Sequence, residues 1–106
     1  MQTLLFLVIA AVLEIAGDAA IRRGLLQSTW GLLLAGGVLL TAYGFFVNTN
    51  RGIDFGQLMG LYIAVFFVVS QVLGFVLFGE RPSLGLVIGG SLIVAGGLVI
   101  LLMRPA

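Results

Sequence analysis

Glu14 and Asp18 stand four residues apart inside the apolar run that opens the chain, in the stretch AAVLEIAGDAAIRRG. On a helix that spacing puts both carboxyls on one face, about 6 Å apart along the axis. A carboxyl near the middle of a bilayer costs about 2.5–3.5 kcal/mol on insertion scales, and such groups usually face a bundle interior or a watery path. Burial and a like-charged neighbour both oppose full ionisation, so the pair is expected to hold a proton near neutrality and to titrate as a coupled unit. A group poised in that way can exchange its proton for a cation. Gly17 and Ile21 are expected to share the face. Arg22, four residues beyond Asp18, offers that acid an ion pair near the membrane surface, whereas Glu14 has no basic residue within a turn and would otherwise serve an interhelical hydrogen bond.

The remaining polar side chains at membrane depth are Thr41, Tyr43, Gln57, Tyr62, Ser70, Gln71 and Ser91. Tyr43 and Tyr62 could offer a cation a hydroxyl and an aromatic face, an attraction of about 0.5–2 kcal/mol once water is removed. Trp30, at a span end, is expected in the interfacial aromatic belt, and Tyr62 lies deeper than that belt. There is no cysteine and no histidine, which excludes disulfides and removes the commonest metal ligand. No hydrolase triad, metal-ligand spacing, phosphate loop or haem ligand set is present, so neither enzyme chemistry nor a metal or cofactor is expected.

Four elements must position these residues. The 106 residues are 61% hydrophobic and 8% charged, far from the quarter or so of charged residues in a soluble domain. Apolar runs cover Leu4 to Ile21, Trp30 to Val47, Phe55 to Phe78 and Leu84 to Met103. Each is near the roughly 20 residues that cross a hydrocarbon core as a helix, and the alternation of a membrane barrel is missing. The expected fold is all-α integral membrane, one domain of four transmembrane helices over residues 1–106. Leu4 to Leu13 followed by AGDA imitates a cleavable leader, but no Lys or Arg precedes it and Glu14 interrupts its end.

The connections RRGLLQST, NTNRGID and GERPS are short, so consecutive helices should be antiparallel neighbours. Gly24 reads as the stop of the first helix. Ser28 or Thr29 reads as a cap of the second, Asp54 of the third, and Pro82 with Ser83 as the start of the fourth. Arg22, Arg23 and Arg81 fall on one side of the membrane and Arg51 and Arg104 on the other, a slight bias that fits insertion in both orientations and one fixed orientation equally well. A net charge of +1 with no basic tract gives nucleic acid nothing to grip.

Sixteen glycines, most of them inside the spans, weaken helices unless close packing compensates. Gly56 with Gly60 and Gly85 with Gly89 form G-x-x-x-G pairs. Gly89, Gly90, Gly96 and Gly97 continue a stripe that makes the fourth helix the expected dimer contact. The alternative is that these glycines pack helices within one protomer.

The first helix AAVLE with Glu14, the third helix opening on Gly56, and the passage GFVLFGERPSLGLVIGGSLIVAGGLVI together resemble the small multidrug resistance family of the drug/metabolite transporter superfamily. The resemblance covers nearly the whole chain. It implies an antiparallel homodimer in a bacterial inner membrane, a midplane site shared by the Glu14 carboxyls of two protomers at which protons and a cationic substrate compete, and a dimer contact through the fourth helices. Met59 and Tyr62 stand where that family usually has tyrosine and tryptophan, and Asp18 with Arg22 and Arg23 is unusual beside its pattern, which implies a divergent member.

The expected function is a proton-coupled antiporter that exports a small organic cation, acting as a homodimer or with a paralogous chain. Two rivals are a non-transporting membrane subunit or assembly partner, and a transporter of an amphiphilic or lipid-like substrate that the apolar LYIAVFFVVS segment would accommodate.

Overall fold

The structure, a computed structural model, describes residues 2–49 and 52–103. All of its regular structure there is helical: α1 (Gln2–Gln27), α2 (Trp30–Val47), α3 (Phe55–Phe78) and α4 (Leu84–Leu102). Each helix is long and apolar enough to cross a membrane. The chain divides into two compact units, Met1–Asn50 and Arg51–Ala106. Each is a helical hairpin, α1 against α2 in the first and α3 against α4 in the second.

In the first hairpin α1 continues past the end the sequence suggested. Arg22, Arg23, Leu25, Leu26 and Gln27 are all good helix formers, and the helix runs through them to Gln27. Gly24 is therefore no stop. It is buried inside the helix, where an added Cβ would meet Leu33 of α2 at 3.0 Å. The turn comes at Ser28, in the left-handed region at φ 52, and the Thr29 amide donates back to the Gly24 carbonyl at 2.9 Å. Thr29 is the N-cap of α2, but its hydroxyl donates to the Gln27 carbonyl instead of capping.

The α1–α2 contact is built on small residues. Gly17 and Gly36 bring the two backbones together: a Cβ on Gly36 would meet the Gly17 carbonyl oxygen at 2.7 Å, and one on Gly17 would meet the Gly36 oxygen at 3.1 Å. Ile21 lies against Gly36, Leu40 against Gly17, and the rings of Phe6 and Phe46 stack at 4.6 Å further along.

The second hairpin uses the same device. Ala64 packs on Gly97, the Phe67 ring on Gly90, and Ile100 on Gly60. Gln57 adds a hydrogen bond from its side-chain amide to the Ile100 carbonyl in the last turn of α4, at 3.3 Å. α3 ends on Gly79 at φ 67, a conformation that only glycine adopts without strain. There Gly79 donates to the Phe75 carbonyl and Glu80 to that of Gly74. Ser83 caps α4 by accepting from the Leu86 amide at 3.2 Å, as its position before the apolar run suggested. Asp54 stands at the N-cap of α3 without a side-chain capping bond. Arg51 and Arg104, used in comparing the loop charges, lie outside the described residues.

Within each hairpin the helices carry exposed apolar side chains, among them Leu5, Leu34, Val38, Ile63, Val72, Ile88 and Leu92. For a helix in water this would be an aggregation hazard, whereas a bilayer accepts such a surface.

Candidate functional site

Glu14 sits at the middle of α1, half-buried, with about 18 Å of helix on either side of it. That places a carboxyl at the centre of a helix long enough to cross the membrane. Asp18 follows one turn on, exposed, with the Glu14 carboxyl one turn back on the same helix. The i, i+4 geometry read from the sequence is thus realised within a single continuous helix.

Gly17 takes a different role from its neighbours. It is buried against α2 and forms the close backbone contact with Gly36, so it holds the hairpin shut beside the two acids. Tyr43 belongs to the same hairpin. Leu40 lies against Gly17 and Phe46 against Phe6, and an antiparallel register through these contacts sets Tyr43 at the level of Ala10 to Glu14. Tyr43 is half-buried. Tyr62 is part of the second hairpin, only 4% exposed, with its ring tilted against Phe66 at 5.8 Å between centroids.

Most of the other polar side chains in the spans use their donors on backbone carbonyls. Thr41 donates to Gly37 at 2.9 Å, Ser70 to Phe67 at 2.7 Å and Ser91 to Val87 at 2.8 Å, each within its own helix, and Gln57 donates to α4. Such bonds settle a hydroxyl in lipid without a ligand. Two surface grooves are apolar: one of about 600 Å³ along α2 around Gly37, and one of about 400 Å³ beside Phe67 and Gly90. Neither is lined by a titratable side chain. The acids of α1 are what separates this chain from a plain helical bundle.

The glycine stripe of α4 splits in two. Gly90 and Gly97 are buried and filled by Phe67 and Ala64 of the same hairpin, whereas nothing lies within 4 Å of a Cβ added at Gly89 or Gly96. The sequence reading missed Gly36, which does as much for the first hairpin as any of the four does for the second. Its only signal was a small residue in AGG of α2, and choosing it required the register against Gly17.

The model of the family described as "Uncharacterised BCR, YnfA/UPF0060 family" matches residues 1–106 of this chain. The chain belongs to the YnfA/UPF0060 family. A "UPF0060 membrane protein" of Streptomyces coelicolor is 33% identical over 99 residues, covering 92% of this chain and 88% of its own. One of Mycolicibacterium gilvum is 34% identical over 103 residues, covering 96% and 94%. One of Mycobacterium bovis is 35% identical over 101 residues, covering 94% and 92%. No solved structure matches the chain. With four helices long enough to span and relatives named as membrane proteins in bacteria, this YnfA/UPF0060 chain is a multi-pass bacterial membrane protein.

Proposed function

We propose that this chain is a proton-coupled antiporter that moves a small organic cation out of the cytoplasm, working as an antiparallel homodimer. The observation that carries this reading is the position of Glu14: a carboxyl at the midpoint of a 26-residue membrane helix, with a second carboxyl one turn away. Two vacant ionised acids in a low-dielectric setting are expensive, so the site is stable when it holds either protons or a cation. Competition for one carboxyl is the simplest form of coupling, because the cargo can enter only when the proton leaves. Alternating access would then follow from the two protomers exchanging conformations.

Tyr43, on the stretch of the first hairpin level with Ala10 to Glu14, would supply a ring face and a hydroxyl to the cation. Gly89 and Gly96 support self-association, since they leave a small-residue strip on α4 that the described residues of its own hairpin do not fill. The resemblance of the first and fourth helices to small multidrug resistance transporters supports the same reading.

The test is transport in proteoliposomes. With an imposed pH gradient, a panel of guanidinium and quaternary ammonium ions should include at least one whose uptake collapses the gradient, and Glu14→Gln should abolish both uptake and pH-dependent binding. Coupling retained in Glu14→Gln would defeat the assignment.

A further inference from the structure

We propose that this protein fits a bilayer whose hydrocarbon core is thinner than the usual 30 Å or so, and that it gathers short-chain phospholipids around itself. The inference starts from helix length. In the first hairpin α2 has 18 residues and in the second α4 has 19, so at 1.5 Å per residue they reach about 27 Å and 28.5 Å. Their partners are longer, 26 residues in α1 and 24 in α3. A helix longer than the core can tilt until it fits, whereas a short one cannot stretch. In each hairpin the shorter helix therefore sets the thickness that can be covered.

The residues flanking the short helices do not extend them. α2 is bounded by Ser28 and Thr29 at one end and by Asn48 and Thr49 at the other, and all four are exposed and outside the helix. Before α4, residues 80–83 are likewise exposed and non-helical, and Pro82 among them has no N–H with which to join a helix ladder. Backbone of this kind carries N–H and C=O groups that hydrocarbon cannot satisfy, so these segments belong in water or among lipid headgroups. Within the first hairpin the polar boundary runs across both helices, because the stack of Phe6 on Phe46 sets Thr3 level with Thr49. Membrane helices tilt by about 20° on average, which brings the reach of α2 down to about 25 Å. The lipids that remove the remaining difference are those with shorter chains.

Trp30 is the single tryptophan of the chain, opens α2 and is 80% exposed, so its fluorescence reports the lipid beside that end of the short helix. The protein is reconstituted in a mixture of equal parts phosphatidylcholine with 14-carbon and with 22-carbon monounsaturated chains. A fixed fraction of one lipid or of the other carries a spin label near the glycerol end of its chain, so thickness and headgroup are the same in both samples. The labelled short-chain lipid should quench Trp30 with a relative affinity about threefold above that of the labelled long-chain lipid. Inserting three leucines after Val47, which lengthens α2 by about 4.5 Å at the end away from Trp30, should reduce that preference. Equal quenching by the two lipids in the unmodified protein, or stronger quenching by the long-chain lipid, overturns the proposal without reference to any variant. A preference undiminished by the insertion shows that the length of α2 does not set it and also overturns the proposal.

Discussion

At the scale of single residues, the proposed exchange rests on two carboxyls one turn apart on one helix. If both take part, binding of a monovalent cation by the unmodified protein releases protons, and Asp18→Asn should lower the number released per cation while leaving binding itself intact. Proton release measured on purified protein with a pH dye checks this, and an unchanged number in Asp18→Asn would show that Asp18 stands outside the site. These carboxyls were legible in the sequence because charge inside an apolar run is rare and expensive. The role of Gly17 was not. Its helical position lies between about 60° and 100° from the acids, and only the register of α1 on α2 shows that it faces Gly36.

Among the elements, the contrast between adjacent glycines of α4 gives a direct measurement. A Cβ on Gly97 would run into Ala64, a short side chain with no rotamer to move, whereas one on Gly96 meets nothing within 4 Å. Gly97→Ala should destabilise the second hairpin by about 1–3 kcal/mol, the usual range for overpacking. Gly96→Ala should be neutral or stabilising by up to about 1 kcal/mol, since alanine is the better helix former. Unfolding from mixed micelles, followed by circular dichroism, separates the two; equal effects would mean that α4 packs with another face. Hydropathy placed the second and third spans at their observed bounds, because each run is closed by polar or turn-forming residues. It misplaced the end of α1. Two arginines and a glycine read as a membrane boundary and a stop, but neither arginine breaks a helix, and Gly24 is retained inside because it allows Leu33 to approach.

For the whole molecule, the proposal of a dimer turns on the part of α4 that its own hairpin leaves open. Gly89→Leu and Gly96→Leu place bulk on that strip without touching α3, so they should shift a crosslinked population from dimer to monomer while each chain stays folded. Gly90→Leu should instead disturb the hairpin, through Phe67. If Gly89→Leu and Gly96→Leu leave the crosslinked dimer undiminished, self-association does not use this face. The sequence pointed to the stripe but not to its division. Four glycines within nine positions look alike until the neighbouring helix claims some of them.

The crossing of Gly17 over Gly36 has one more consequence. Where helices interlock through branched side chains, any change of angle requires several of them to hop between rotamers together. Here main chain comes close to main chain, flanked by Ile21 and Leu40, so a swivel of α1 on α2 about this point asks only those two side chains to adjust. The pivot lies one residue from Asp18 and less than a turn from Glu14, so a small rotation there would sweep both acids through an arc while the ends of the hairpin stay joined.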